Sequence, residues 1–511
     1  MTKADQSRTV SNRRGHRLAR NTLLTLVGTV IPTLVGVFTV PRIVGVLGTD
    51  RFGLLALVWL VLGYAGIFDF GLGRATTKFV AQATDDPDSS LVPRIVTSTL
   101  AVQLPIGILC GLVLAALTPW MTGRLLHIPP GLRSEAETSF FLVAAAIPFC
   151  QATSLLRGVL EALQRFDLVN LVRLPASVAS FVLPLVAADL GMNLKGVVWV
   201  LVASRLLFLI AYAWLCLRLL PHLWKQGRWD WGLFYPLFHF GSWTAVSAVA
   251  TQVQSYLERF LIGAFFNIAA VGYYSAPSEM IARLAVVPSA VAAALFPEFS
   301  AREKTSRRVL VPAMARSIKY LLLCLVPIVA FGFVFADRIL LAWLGPEFAR
   351  AATSSARVLI LCFLLNAIGY IPFTAIHACG KPNWKAKLDL IELPMFALLC
   401  FWLIPAYGLQ GAALAKLAVQ IVDSCALFWM VAVACGVTFR DQMGERCGEA
   451  LLLSVVFTAG SCALLSATTG FLANISLFLF GLLVYAVLAA RFAVDERDRL
   501  LLTDLGHALR R

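Results

Sequence analysis

Long apolar runs, separated by short polar segments, recur along almost the whole chain. A helix needs about 20 mostly apolar residues to cross the hydrocarbon core of a bilayer. That criterion predicts about 14 membrane spans, which cover residues 21–47, 52–71, 92–117, 140–156, 168–188, 197–219, 234–256, 271–296, 318–335, 358–378, 388–404, 411–435, 451–465 and 471–490. The pattern therefore predicts an all-α, polytopic membrane protein.

The composition agrees with a bilayer as the solvent. Of the 511 residues, 59% are hydrophobic and only 14% are charged, whereas a soluble protein carries about 25% charged residues. The polar segments are too short to fold as a separate soluble domain. The 11 cysteines are scattered without a CxxC pair, so we interpret them as small apolar side chains rather than metal ligands or disulfides.

The net charge of +15 sits in short segments between spans and does not indicate nucleic acid as a partner. If the basic N-terminus, residues 1–20, is cytoplasmic and the spans alternate, the inner segments hold about 30 of the 43 Lys and Arg residues and the outer ones about 8. Because Lys and Arg accumulate on the cytoplasmic side, this asymmetry predicts that both termini are cytoplasmic.

An internal repeat divides the chain. Phe52-Gly53 matches Val271-Gly272, and Leu194-Lys-Gly196 matches Leu409-Gln-Gly411, each about 215 residues later. Gly48 matches Gly263, and Ala162-Leu-Gln-Arg165 matches Ala378-Cys-Gly-Lys381, at similar spacing. The alternative is chance similarity of short glycine motifs in apolar sequence. We predict an N-lobe of helices 1–6 (21–228), a C-lobe of helices 7–12 (229–440), and two extra helices with a cytoplasmic tail (441–511). Two parallel half-repeats suit alternating access.

One stretch near the N-terminus carries a family resemblance. Gly48 and Phe52-Gly53-Leu54 are followed by Gly63-Tyr64, Phe68-Asp-Phe-Gly-Leu72 and then the basic Arg74. This order resembles the N-terminal signature of polysaccharide flippases, the O-antigen and exopolysaccharide repeat-unit translocases of the multidrug/oligosaccharidyl-lipid/polysaccharide exporter superfamily. The specific motif covers about 30 residues, while hydropathy and repeat spacing extend the resemblance over roughly the first 440.

The resemblance implies a structure and a function. It implies two six-helix lobes in a V-shape plus two C-terminal helices, a bacterial inner-membrane location, and an undecaprenyl-diphosphate-linked oligosaccharide as the cargo. The chain would flip this lipid for surface polysaccharide biosynthesis, with a polysaccharide polymerase as a candidate partner. The other expected contacts are membrane lipids, and no nucleic acid is expected.

A diphosphate that crosses a membrane needs cations in a wet cavity, and arginine binds phosphate while staying charged. Arg283, with Glu279 one turn earlier, and Arg205 lie within predicted spans, where ionisable residues are functional candidates. Together with Arg74 and Lys416 they are the predicted substrate-binding residues. The alternative for each is a structural ion pair, for example Glu279 neutralising Arg283.

Two acidic residues are candidates for binding a coupling ion, H⁺ or Na⁺. They are Asp69, in the FDFGL element, and Asp423, two turns after Lys416. The alternatives are that Asp69 caps a glycine-rich bend or pairs with Arg74, and that Asp423 is a structural partner. Glu258 and Arg259 are expected at the outer membrane interface.

The sequence carries no signature of catalysis. The six histidines are dispersed without an HExxH motif, and no Walker GxxxxGK[ST] is present. We therefore expect neither an enzyme, nor a cofactor, nor a bound metal. Two alternative functions stay open: a cation-coupled multidrug exporter, which would need an acidic aromatic pocket, and a membrane polymerase or glycosyltransferase, which would need a large external loop. The longest predicted outer loop, residues 118–139, is short for the latter.

Overall fold

The computed structural model describes residues 28, 30–64, 72–83, 91–221, 232, 249, 252–254, 256–292, 307–378, 381–435, 447–466 and 471–493. In this part of the chain every regular element is a helix. The elements are α1 Val30–Leu47, α2 Thr49–Tyr64, α3 Leu72–Ala83, α4 Leu91–Trp120, α5 Arg133–Ala162, α6 Phe166–Asp189, α7 Leu194–Leu219, α8 256–265, α9 Ile268–Arg283, α10 286–292, α11 Arg307–Val334, α12 Ala336–Leu344, α13 Pro346–Ala378, α14 Pro382–Cys435, α15 Cys447–Ser466 and α16 Phe471–Leu488.

Nine helices in the described ranges are long and apolar enough to cross a membrane. One of them, α14, is a candidate of 52 residues, Asn383–Ala434, which exceeds the about 20 that one crossing needs. Gly408 breaks it, because its φ of 62° lies in the left-handed region that favours glycine. The predicted spans 388–404 and 411–435 fall on either side of Gly408. The all-α, multi-pass prediction is thus confirmed, whereas the count of 14 is not established.

Two predicted features differ from the structure. The predicted span 271–296 is interrupted after Arg283 by a turn at Leu284 and Ala285, and α10 follows. Pro288 accounts for the break, since it has no N–H to donate to the Leu284 carbonyl. The predicted outer loop 118–139 is mostly helical: α4 runs to Trp120, a π-helical segment covers Met121–Leu125, and α5 begins at Arg133.

The chain forms two compact units, residues 1–276 and 277–511. In the first unit, α3–α7 enclose a core that includes Val80, Leu155 and Val159. In the second, α11 packs against α13 and α15 around Met314, Ala367 and Ile371. The predicted boundary between the lobes, after residue 228, was placed from the sequence repeat, whereas the compact units divide after residue 276. The lobe boundary stays a prediction.

Helices α2 and α9 cross at glycine within the first unit. A Cβ on Gly53 would lie 1.9 Å from the Ile268 carbonyl oxygen, and one on Gly272 would lie 3.1 Å from Phe52 Cδ1. At Gly53 only glycine permits this approach, because the clash is with backbone, whereas a Cβ on Gly272 would be tight against the Phe52 side chain. The two motifs matched as a repeat, Phe52-Gly53 and Val271-Gly272, therefore lie against each other.

Several helices expose faces of large apolar side chains. On α4, Ile108, Leu109 and Leu112 are exposed, and on α14 Trp402 is 74% exposed. Such faces are unfavourable in water and suit hydrocarbon, where helices satisfy their own backbone hydrogen bonds. Exposed apolar faces of this kind are what helices in contact with lipid require.

Candidate functional site

Arg205 lies in α7 of the first unit, half-buried against α6. Its Nη2 donates a hydrogen bond to Ser180 Oγ over 3.3 Å. Its Nε is buried without a hydrogen-bond partner, and no described carboxylate lies within 4.0 Å of the guanidinium. The buried Nε–H of Arg205 therefore has capacity left for an anionic ligand.

Aromatic side chains from α2 and α6 pack beside Ser180, the hydrogen-bond partner of Arg205. Trp59, from α2, donates its indole N–H to the Ser180 carbonyl oxygen over 3.1 Å. The Trp59 and Phe181 rings lie 5.5 Å apart. These contacts join α2 to α6 directly beside the serine that binds Arg205. The sequence predicted Arg205 as a candidate, but not these neighbours.

Arg283 and Glu279 lie one turn apart near the end of α9, and both are half-buried. Arg283 is the last residue of α9, directly before the turn that Pro288 causes. The sequence had predicted Arg283 within a continuous membrane helix. In the structure it lies at an interruption between two helices. Both residues belong to the second unit, whereas Arg205 belongs to the first.

Two predicted residues fall outside the described part of the chain. Asp69 lies in the segment between α2 and α3. The backbone of Arg74 belongs to α3, but its side chain is not described. Their predicted roles, as coupling-ion and substrate-binding residues, stay predictions.

Asp423, in the second segment of α14 (409–435), lies in a buried ionic cluster. We call it the Lys385 cluster: Lys385, Asp389, Glu392 and Asp423. Lys385 Nζ lies 2.6 Å from Asp389 Oδ1, 2.6 Å from Asp423 Oδ1 and 3.6 Å from Glu392 Oε2. None of the four side chains is more than 14% exposed. The cluster thus connects the first segment of α14 (382–407) to the second across Gly408.

Two amides continue the Lys385 cluster towards α13. Gln420 Nε2 donates to Asp423 Oδ2 over 3.2 Å, and Asn366 Nδ2, from α13, donates to Gln420 Oε1 over 3.3 Å. The polar connection therefore runs from α14 to α13 through side chains alone.

Lys416 is half-buried on the second segment of α14, two turns before Asp423. Asp423 pairs with Lys385 and Gln420 and not with Lys416. The structure therefore separates these two predicted residues.

Sequence reasoning missed three members of the Lys385 cluster. It assigned Lys385 to an inner loop as an orienting charge, whereas the structure places it in α14. A signal was present: Lys385, Asp389 and Glu392 follow the spacing i, i+4, i+7, which places them on one helix face. Such a stripe of charges inside an apolar helix is a functional candidate.

Glu258 and Arg259, predicted at the outer membrane interface, form a second buried polar site. Both are buried in the first unit, with 1% and 6% of their surface exposed. Glu258 Oε2 accepts a hydrogen bond from the Tyr274 hydroxyl over 2.9 Å. The Tyr274 hydroxyl therefore satisfies the carboxylate inside the unit, and the position of this pair at the outer membrane interface stays a prediction.

The described residues contain no group of three or more His, Cys, Asp or Glu side chains arranged to hold a metal ion. In the Lys385 cluster the ammonium itself lies between the carboxylates. The first unit thus holds the Arg205 guanidinium, with no described carboxylate beside it, and the second unit holds the Lys385 cluster.

Comparisons with known proteins agree on one family. A family model described as "Polysaccharide biosynthesis protein" matches residues 42–353, more than half of the chain. The chain is 27% identical to a Shigella flexneri protein named "Putative O-antigen transporter", over 82% of this chain and 99% of that one. It is 22% identical to the "Probable low-salt glycan biosynthesis flippase Agl15" of Haloferax volcanii, over 86% and 89% of the two chains.

Solved structures share the fold at low sequence identity. The lipid II flippase MurJ, in an inward closed conformation, aligns with a TM-score of 0.70 at 12% identity and covers 92% of this chain and 99% of its own. An inward-facing multidrug resistance transporter of the MATE family and MOP superfamily aligns with a TM-score of 0.67 at 14% identity, over 81% and 98% of the two chains. The helices therefore adopt the fold of this transporter superfamily.

Proposed function

The chain belongs to the polysaccharide biosynthesis protein family, and from this premise we propose that it flips a lipid-linked oligosaccharide across a membrane by alternating access. The names of the two relatives, an O-antigen transporter and a glycan biosynthesis flippase, support this cargo. The fold shared with a lipid II flippase supports the mechanism. Transport, not catalysis, is the proposed activity.

The observation that carries the proposal is the state of Arg205. Its guanidinium has no described carboxylate within 4.0 Å and keeps a buried Nε without a partner. A diphosphate offers several anionic oxygens to the fork of N–H groups, and such charge-assisted bonds are short and strong. The proposed cargo is accordingly a polyprenyl diphosphate, of the undecaprenyl type, that carries the oligosaccharide.

Arg283, Arg74 and Lys416 are the further cations that we propose for the substrate. Each lies on a helix of the described chain, and each adds positive charge along the route of an anionic head group. Glu279, one turn before Arg283, would tune that charge and keep the arginine oriented when no substrate is bound.

The proposed location is the bacterial inner membrane, with both termini cytoplasmic. The excess of Lys and Arg in the inner segments supports this orientation. Since the sequence has no nucleotide-binding motif, we propose that an H⁺ or Na⁺ gradient supplies the energy, and Asp69 and Asp423, the latter inside the Lys385 cluster, are the candidate residues from which the search for the ion site starts. A polymerase that consumes the flipped lipid is the proposed partner.

The Arg205→Ala variant in the native host tests this function. We expect loss of surface polysaccharide and accumulation of the lipid-linked repeat unit, because the diphosphate loses its ligand. Arg218→Ala is the matched control: it is an exposed arginine near the end of α7, stacked on Trp214 with 5.3 Å between the guanidinium carbon and the ring centroid. Arg218→Ala should export normally.

Two results would contradict the proposal at different levels. Normal surface polysaccharide after deletion of the whole chain would refute the function. Loss of polysaccharide on deletion, with normal export by Arg205→Ala, would leave the function in place and remove Arg205 from the site. Immunoblots of the membrane fraction must show equal amounts of each variant.

A further inference from the structure

The Lys385 cluster is buried and contains more carboxylates than ammonium groups. Three carboxylates, from Asp389, Glu392 and Asp423, surround one ammonium. With all four groups ionised, the cluster would carry an excess of two negative charges inside an apolar helix pair. Buried carboxylates that share one ammonium repel one another, so protonation of one of them would stabilise the cluster.

Among the three carboxylates, Glu392 gains least from Lys385. An ammonium has three N–H donors, and Asp389 and Asp423 each lie 2.6 Å from Nζ. Glu392 Oε2 is 3.6 Å from Nζ, which is beyond hydrogen-bond range. Glu392 Oε1 is buried without any hydrogen-bond partner, and the residue is only 3% exposed.

We propose that Glu392 reversibly binds a proton inside the Lys385 cluster and that this proton is the coupling ion of transport. Protonation converts the Glu392 carboxylate to a neutral carboxyl, with the proton taken from the aqueous phase and returned to it. The binding step stands on the geometry of the cluster. Only its link to transport rests on the proposed flippase function.

The geometry favours a proton over a metal cation. The Lys385 ammonium occupies the position between the carboxylates where Na⁺ would have to sit, so Na⁺ could bind only by displacing it. The described residues also offer no metal-binding group of three or more acidic, His or Cys side chains. A proton needs only an unpartnered carboxylate oxygen and no cavity large enough for a metal ion. Glu392 Oε1 is such an oxygen.

Because charged groups surround Glu392, binding of a proton there changes which carboxylate the Lys385 ammonium contacts. Lys385 and Asp389 lie on the same segment, Asp423 lies on the other, and these three act electrostatically on Glu392. Lys416 lies two turns before Asp423, and α13 contributes the neutral Asn366 through Gln420. An ionised Glu392 competes with Asp423 for the ammonium, whereas a protonated Glu392 leaves it to Asp423.

Proton binding therefore strengthens the contact that closes α14 across Gly408. When the proton leaves, Lys385 turns towards Glu392 and its hold on Asp423 weakens. Because Asp423 is hydrogen-bonded to Gln420 and through it to Asn366, the change reaches α13. A local change of charge that biases two packings of a helix pair is a general form of switch.

The test measures protonation directly, in the full chain reconstituted in lipid nanodiscs. Infrared difference spectra are recorded between about pH 5 and pH 9. An ordinary glutamate side chain is mostly ionised over this range. The wild type should show a carbonyl stretch of a protonated carboxyl that disappears as the pH rises. Glu392→Gln should lose this band, and the isosteric amide should preserve the fold. Glu137→Gln, which alters a half-exposed glutamate paired with Arg133, should keep it.

Each outcome decides for or against the site. Loss of the band in Glu392→Gln and its retention in Glu137→Gln support the proposal. A band that persists in Glu392→Gln, or one that Na⁺ removes at constant pH, overturns it. Flipping is measured separately in the same preparations: a titrating Glu392 in a protein that flips no lipid would refute the function and leave the proton site standing.

Discussion

Replacing Lys385 by methionine should be among the most destabilising single changes in the second unit. Methionine keeps most of the side-chain volume and removes the ammonium, leaving three buried carboxylates without their cation. Breaking a buried ion pair from one side costs about 3–5 kcal/mol. The two 2.6 Å contacts of Lys385 and its 14% side-chain exposure place it in that class.

A double-mutant cycle with Asp423→Asn separates this charge effect from general damage. In the wild type, Asp423→Asn removes a partner of Lys385 and should cost about 1–3 kcal/mol. In the Lys385→Met background the same change removes an uncompensated carboxylate, so it should stabilise the protein. The coupling free energy between the two sites should then exceed about 1 kcal/mol.

The assay is the free energy of unfolding by SDS titration in mixed micelles. Arg133 and Glu137 provide the matched control, since they form an i,i+4 pair like Lys385 and Asp389, at 3.2 Å but with side chains 50% and 32% exposed. Their cycle should give a coupling of about 0.3–0.5 kcal/mol. The reasoning fails if Lys385→Met costs no more than Arg133→Met, or if Asp423→Asn further destabilises Lys385→Met.

Three other variants test separate parts of the structure. Gly53→Ala should cost about 1–3 kcal/mol of unfolding free energy because its Cβ would meet the Ile268 carbonyl. Gly45→Ala is the control and should cost nothing, because its Cβ would meet nothing within 4 Å. Equal melting temperatures of the two variants would contradict the crossing of α2 and α9 at Gly53. Tyr274→Phe should cost about 1–3 kcal/mol by leaving Glu258 without its hydroxyl donor, and an unchanged melting temperature would argue against that bond. Arg283→Ala should abolish export of surface polysaccharide while its abundance in the membrane stays normal, and normal export would remove Arg283 from the site.

The membrane helices could be predicted because their signal is local. Residues 92–117, 168–188 and 197–219 were assigned from apolar length alone, and α4, α6 and α7 cover them with a few residues added at their ends. The split of α14 was predicted too, since polar and glycine residues near Gly408 divide two apolar runs. Helix ends were less accurate, because a helix continues past the hydrocarbon wherever its backbone stays hydrogen-bonded.

The ionic contacts could not be predicted, because they join residues distant in sequence. Asp423 was a candidate, yet its partner Lys385 lies 38 residues away, and a lysine just before a predicted span was assigned to positive-inside orientation. Arg205 was chosen for its charge within a span, but its hydrogen bond to Ser180 depends on packing against α6, which the sequence does not show. Burial of Glu258 depends on Tyr274, a residue of the next long helix.

Flipping by the purified chain tests the central claim most directly. The chain is reconstituted in proteoliposomes with an undecaprenyl-diphosphate-linked oligosaccharide whose sugar is fluorescent, and a membrane-impermeant reductant added outside quenches the exposed lipid. Wild-type protein should make nearly all of the lipid accessible, and Arg218→Ala should match it, while Arg205→Ala should leave the inner-leaflet half protected as in protein-free vesicles. Protection in wild-type vesicles equal to that in empty vesicles would contradict the account.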